Sequence, residues 1–272
     1  MNQAGVTDLA REMLDAYAAG RPIAVPPSAR PGGLDLDGGY AVEAEIARIR
    51  RAAGRTTVGR KIGLGNRAVW RTLELKTLVW ANMYDDTVHY AKGGRGTISL
   101  ARMRAPKIEP EIVVKLKTVP AAATPEAVVD ALEWIAFAFE IVDCPYPDWK
   151  FRGSDFMASL GLHAALLVGE PRPVRRDDAR ALIDRLGAFT ARLSKNGEVV
   201  QEGGGKNVLD NPALCLAEFV SALPAQKFAE PLRPGELIST GSLTVAPAIS
   251  AGERWDVSAE GLDVAPLTVD LQ

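Results

Sequence analysis

The sequence predicts a mixed or mainly antiparallel α+β fold. Three observations lead there: strand-like runs outnumber helical ones, the two kinds do not alternate as a parallel βαβ sheet requires, and two helices precede the first strand. The chain has 272 residues, 47% of them hydrophobic and 24% charged. That is enough to bury one large core. The expected organisation is a helical N-terminal region over residues 1–55 and a main domain over 56–272.

In chain order, Leu9, Met13, Ala16 and Tyr17 recur at helical spacing behind a capping Thr7, and Gly20 with Pro22 stops the run, so a helix is expected over 7–19. The Pro- and Gly-rich stretch from Pro22 to Gly39 reads as a loop, and a second helix from Tyr40 to Ala53 ends at Gly54. From Thr56 to Leu64 the pattern is that of a strand running into a glycine turn. A short helix over 68–75 and strands over 78–90 and 107–117 follow. Helical spacing over 125–134 leads into the apolar run 135–142, read as a buried strand, and then a strand over 163–168. A helix over 177–186 precedes a hairpin, 188–195 with 198–202, whose Asn196-Gly197 is a favoured two-residue turn. The helix over 212–223 carries Pro212 in its first turn. Strands over 236–240, 243–245, 253–259 and 267–271 complete the chain.

Composition excludes several functions. With 32 Lys+Arg against 34 Asp+Glu, the chain lacks the basic excess of a nucleic-acid binder. Its first fourteen residues carry Asp8 and Glu12, unlike a signal or transit peptide. The most apolar stretch, Ala131 to Val142, is interrupted by Glu133 and Glu140 and is too short for a bilayer. A cytoplasmic location without a membrane segment is the expectation. Cys144 and Cys215 stand far apart with no CxxC, which favours reduced thiols over a disulfide or a zinc site.

Lys107 to Leu116 alternates, so a strand there sends Glu109 and Glu111 to one face and Ile108, Ile112, Val114 and Leu116 to the other. Two carboxylates that close repel, and one keeps its proton unless a cation sits between them. A hard divalent ion, Mg²⁺ or Mn²⁺, suits such a pair; the same alternation also fits a solvated face screened by Lys115 and Lys117. Glu140 lies within Phe137 to Val142, where a carboxyl is costly unless it is metal-bound, paired with an Arg or Lys, or kept neutral. Lys61 sits where a strand meets Gly63-Leu64-Gly65. Its ammonium and the N–H groups of Gly63 and Leu64 suit a substrate carboxylate. Thr240-Gly241-Ser242 ends a later strand and reads either as a substrate contact or as a plain turn.

Ile108-Glu109-Pro110-Glu111 and Phe139-Glu140-Ile141-Val142-Asp143 resemble the metal-binding motifs of the fumarylacetoacetate hydrolase superfamily, in its 2-oxo-4-pentenoate hydratase and 4-oxalocrotonate decarboxylase branch. Further ordered matches are Tyr40-Ala41-Val42-Glu43, Gly59 to Leu64, Asp148-Trp149-Lys150-Phe151, the Asn196-Gly197 hairpin and Thr240 to Leu243. The resemblance implies a mixed β-roll or barrel like that superfamily's C-terminal domain, with peripheral helices, in a homo-oligomer. It implies Mg²⁺ or Mn²⁺ on Glu109, Glu111 and Glu140, holding the carboxylate and 2-oxo oxygens of a 2-oxo acid. Lys61 is then the catalytic acid/base, and Gly63, Leu64, Lys150, Thr240, Gly241 and Ser242 bind substrate.

The implied reaction is addition of water to a 2-hydroxy-2,4-dienoate in aromatic-compound catabolism. A 2-oxo-3-enedioate decarboxylase and a non-catalytic 2-oxo acid binding protein are the rivals. Two departures from the branch bear on this choice. The usual Pro-Asp pair after the lysine turn is replaced in Leu75 to Trp80, and the usual Ala-Asp-Asn-x-Ser stretch reads Ala158 to His163. Asp85, Asp86 or His163 are the substitutes for the missing acid; His163 reads more readily as a packed core histidine, and His89 as structural or exposed. The Asn-Tyr-x-x-His-x-x-Glu lid of acylpyruvate hydrolases is absent from the sequence. Gly63 to Ala68 also satisfies a GxGxxA dinucleotide fingerprint, weakly, because no repeated βαβ pattern follows. Gly203-Gly204-Gly205-Lys206 lacks P-loop spacing and reads as a mobile loop near the site.

Overall fold

The computed structural model describes residues 2–65, 67–73, 75–175 and 178–272. Three elements open the chain: α1 (Gln3–Ala19), α2 (Leu36–Ala52) and β1 (Thr57–Gly63). Next come α3 (Arg67–Trp70), β2 (Val79–Tyr84), β3 (Val88–Tyr90), β4 (Arg95–Ile98) and β5 (Pro106–Leu116). The middle holds α4 (Pro125–Asp130), β6 (Leu132–Asp143), α5 (Gly153–Ala158), β7 (His163–Val168) and β8 (Arg172–Pro173). The last part runs α6 (Ala179–Ala188), β9 (Thr190–Lys195), β10 (Glu198–Gly204), α7 (Pro212–Ala222), β11 (Leu237–Ser242), β12 (Arg254–Glu260) and β13 (Leu267–Leu271).

Both N-terminal helices begin four residues before the expected start. Asn2, not Thr7, caps α1 by accepting from the Gly5 N–H at 3.0 Å. The Thr7 hydroxyl instead donates to Glu45 on α2. Asp35 caps α2 through the Gly38 N–H, which draws Gly38 and Gly39 into the first turn. A Cβ on Gly39 would lie 2.6 Å from the Ser154 carbonyl oxygen, so this glycine admits α5 against α2 instead of marking a loop.

Sheet order explains why the site is enclosed. One sheet runs β2-β1-β11-β5-β6-β7-β3, with β8 added on β6, and the other runs β10-β9-β12-β13-β4. Strands β2 and β3 lie at opposite ends of the first path, yet only Asp85–Thr87 separates them in sequence. A three-residue link between the two edges forces the sheet to curl into a roll. Inside the roll, Met83, Val113, Ala136, Ala138, Leu166 and Leu237 form a small apolar cluster. The opposite face, with Ile108, Ile112, Phe137, Phe139 and Ile141, joins the main core with the helices and the second sheet.

The α+β class and the helical start agree with expectation, and particular elements differ. The strand expected over 78–90 breaks at 85–87 where the roll closes, and residues 132–134 extend β6 instead of the preceding helix. Residues 243–245 bend away after Ser242 and form no strand, while β4, β8 and α5 were not anticipated. The short helix ends at Trp70 instead of 75, and Glu74 within it, like Asp177 at the start of the 177–186 helix, lies outside the described residues. The glycine triplet is tightly packed, not loose: a Cβ would meet Leu243 O at 1.9 Å from Gly203 and Leu186 O at 1.7 Å from Gly205. The helical run Gly205–Ala225 is long and apolar enough to cross a bilayer by composition, but half of it is buried inside the protein. Leu216 and Phe219 seat α7 in the core.

Candidate metal centre

Glu109 and Glu111 project from alternate positions of β5 into the roll, and the β5–β6 register sets Glu140 directly opposite Glu109. One carboxylate oxygen from each of the three lies within 4.8 Å of the others. Glu111 and Glu140 are fully buried. Parallel pairing of β1 with β11 sets Lys61 beside Ser239, and its ammonium reaches Glu140 Oε2 at 2.9 Å and the Gly161 carbonyl at 3.3 Å.

A break in the β11–β5 register completes the cradle. Ser239 pairs with Val113 and Ser242 with Glu111, so β11 spends three residues where β5 spends two. The extra residue is a bulge, and Gly241 takes φ 111°, which a residue with a Cβ rarely adopts. The bulge turns the Gly241 N–H onto Glu111 Oε2 at 2.9 Å, and the Ser239 hydroxyl donates to the same oxygen. The other oxygen, Glu111 Oε1, is buried without a partner.

Charge distribution follows from burial. Burial pushes the Glu109 carboxyl up to about 7, with Lys61 opposing and Glu140 adding to the rise. Burial, then Glu140 and Glu109, hold Glu111 well above the usual carboxylate range. Burial also raises Glu140, but Lys61 and His163 outweigh it and the net direction is down. For Lys61, burial favours the neutral amine, and the three glutamates together overturn this and keep the ammonium charged. Thus Glu140 is the most readily ionised of the three, burial disfavours charge on Glu109 and Glu111, and Glu111 Oε1 stays buried without a partner. That donor set, all oxygen and acidic, fits a hard divalent cation, whose charge would favour the ionised form of each carboxylate.

The cavity above the trio measures about 760 Å³. Lys61, Gly63, Leu64, Glu109, Glu111, Gly241 and Ser242 are among the residues that line it. Glu140, fully buried, is not in the lining. Gly63 is required by close packing, since a Cβ would meet the Phe156 ring at 2.2 Å. Thr240 is not in the lining: strand alternation turns it to the far face, where its hydroxyl donates to the Ile112 carbonyl at 2.9 Å. Lys150 is not in the lining either; its side chain is 81% exposed and pairs with Asp148. Its neighbours Trp149 and Phe151 form the apolar wall instead. The fingerprint around Gly63 leads into a four-residue helix and an antiparallel β2, not a Rossmann unit; its Asn66 lies outside the described residues.

Ser239 was missed in the sequence, and His163 is buried as a packed core histidine would be, but with an unforeseen contact to Glu140. Alternation from Gly241 back to Ser239 was a usable signal for the first. Of the proposed acid substitutes, Asp86 pairs with Arg50 and Arg55 on the surface, and His163 contacts Glu140 instead of the cavity. His89 is exposed.

Comparison with known proteins gives a consistent pattern. The family model described as fumarylacetoacetate (FAA) hydrolase C-terminal matches residues 72–269. A 2-hydroxyhexa-2,4-dienoate hydratase of Comamonas testosteroni is 30% identical over 231 residues, covering 84% of each chain. The 2-keto-4-pentenoate hydratase 2 of Dechloromonas aromatica is 32% identical over 252 residues, 91% of this chain and 90% of the relative. Among solved structures, 4-oxalocrotonate decarboxylase from Pseudomonas putida G7, complexed with magnesium and adipate, superposes with a TM-score of 0.88 at 23% identity, covering 100% and 99% of the two chains.

Proposed function

The chain belongs to the fumarylacetoacetate hydrolase family, and from that premise we propose that it is a divalent-metal-dependent hydratase. The substrate is a 2-hydroxy-2,4-dienoate or its 2-oxo-4-enoate tautomer, and the product a 4-hydroxy-2-oxo acid formed in aromatic-compound breakdown. The observation that carries this reading is the buried carboxylate trio with its unpartnered Glu111 oxygen beside a charged Lys61.

Glu109, Glu111 and Glu140 would hold Mg²⁺ or Mn²⁺. When bound, the ion supplies Lewis-acid stabilisation of the negative charge that develops on the 2-oxygen. Lys61, kept charged by the glutamates, gives a proton to carbon as the dienol ketonises, and the enol O–H proton released in the same step returns to the Lys61 amine, so no net proton is consumed. The N–H groups of Gly63 and Leu64 and the Ser242 segment orient the carboxylate end. Trp149, Phe151 and Phe156 exclude water from the apolar wall, so that water enters at the conjugated carbon from the open side. Thr240 acts from behind, fixing the bulge that aims Gly241.

A second reading, decarboxylation of a 2-oxo-3-enedioate, has its own support: Arg67 and Lys206 also line the cavity and suit a second carboxylate. Incubation with 2-hydroxypenta-2,4-dienoate and with 4-oxalocrotonate, each with Mg²⁺, separates the readings by product mass. Gain of one water from the first supports hydration; loss of CO₂ from the second with no hydration of the first replaces it. Two free, buried cysteines suit a reducing cytoplasm. Val199 and Val200, exposed on the edge strand β10, suit burial in a homo-oligomer.

A further inference from the structure

His163 is neither exposed nor merely packed. Its Nδ1 lies 2.7 Å from Glu140 Oε1, and its Nε2 lies 3.0 Å from the Thr87 hydroxyl. The ring is 2% exposed and Glu140 is fully buried. Thr87 in turn lies within hydrogen-bond distance of both the N–H and the C=O of Tyr84, across the link that joins β2 to β3 and closes the roll.

The placement depends on a local irregularity. On β7, Leu166 pairs with Glu140 and Ala165 with Ile141, but Val142 pairs with His163, so Ala164 is an extra residue. Without that bulge, a three-residue separation from Leu166 would turn His163 to the outer face. With it, His163 shares the inner face with Glu140.

The direction of the hydrogen bond follows from the partners. A carboxylate only accepts, so Nδ1 carries the hydrogen and donates to Glu140. Nε2 of the neutral ring then accepts, so the Thr87 hydroxyl turns its one hydrogen to Nε2 in place of the Tyr84 carbonyl while still accepting from the Tyr84 N–H. Glu140 is thereby held on both oxygens, by the His163 hydrogen bond on Oε1 and the Lys61 ion pair on Oε2.

We propose that His163, anchored by Thr87, is a positioning residue that presets Glu140 for the divalent ion, linking the ion's affinity to closure of the roll. This rests on the metal reading above. Hydrogen bonds to ligating groups of this kind are worth about 10–100-fold in metal affinity.

The test is Mn²⁺ titration of the metal-free, full-length protein, with free Mn²⁺ read by electron paramagnetic resonance and the urea midpoint of each metal-free form as the fold check. His163→Ala is expected to weaken Mn²⁺ binding by about 10–100-fold. His163→Asn, whose amide nitrogen stands near the Nδ1 position, is expected to recover most of the loss. Thr87→Val weakens binding and Thr87→Ser preserves it. A folded His163→Ala with an unchanged dissociation constant, or equal losses for Ala and Asn, overturns the proposal. Should His163→Ala not fold, Thr87→Val decides: unchanged Mn²⁺ affinity overturns the clamp. If wild-type protein takes up no Mn²⁺ at all, the metal reading falls and the clamp with it. That result differs from normal wild-type binding that the variants leave untouched.

Discussion

Lowering the pH from 7 to 5 should strip the centre of its ion far more steeply than an ordinary carboxylate site allows. Burial raises the Glu109 carboxyl from 4.5 to about 7, and burial with the neighbouring Glu140 and Glu109 also raises Glu111. A group at about 7 is half ionised at pH 7 and only about 1% ionised at pH 5, so Glu109 alone weakens apparent affinity about 50-fold over that span. An unperturbed carboxyl would change it by only about 1.3-fold. The metal-free protein should show the opposite trend in stability. Because the folded state holds the Glu109 proton more tightly than the unfolded chain, this contribution is complete below about pH 4.5 and is lost as pH rises through about 7. The loss amounts to up to about 3 kcal/mol, less whatever cavity water screens. The assay pairs Mn²⁺ titration at pH 5, 6 and 7 with urea unfolding of the metal-free protein at the same values. An affinity that changes less than about threefold, together with a urea midpoint that does not fall as pH rises, refutes the electrostatic account of the trio.

Lys61→Met keeps the length of the side chain but removes the proton carrier; kcat should fall by about 10²–10⁴-fold while the protein stays folded by circular dichroism. Gly241→Ala forces a Cβ into φ 111° and should cost about 1–3 kcal/mol in urea unfolding, and weaken Mn²⁺ binding as the N–H leaves Glu111. Lys150→Ala should change kcat/KM by less than about twofold, since an exposed side chain outside the cavity contributes little; a loss of tenfold or more would place Lys150 on the substrate.

Where the chain obeys a strict period of two, the site was legible. Glu109 and Glu111 on β5 face inward as their alternation with Ile108 and Ile112 requires, and Lys61 faces inward between Arg60 and Ile62. The apolar run around Glu140 likewise marked it as a buried charge in need of a partner. Departures from the period hid the rest. The Gly241 bulge carries a backbone donor into the site, and the Ala164 bulge brings His163 onto the inner face. Neither bulge has a sequence signature that propensity or hydrophobic pattern detects, because each is fixed by pairing with a distant strand. Closure of the roll is similar: Asp85–Thr87 reads as part of one long strand until β3 is seen to pair with β7. The glycines of α2 misled in the other direction, since Gly39 serves close packing of α5 and not a loop.

The central claim is that three carboxylates hold a divalent ion on which hydration depends. Its most direct test follows the loss of conjugated absorbance of 2-hydroxypenta-2,4-dienoate with wild-type protein, chelator-treated protein and Glu111→Gln, alongside Mn²⁺ binding by each. The account predicts hydration by wild type, abolition by chelator with recovery on adding Mg²⁺ or Mn²⁺, and loss of both binding and turnover in Glu111→Gln. Full activity after chelation and in Glu111→Gln would contradict it.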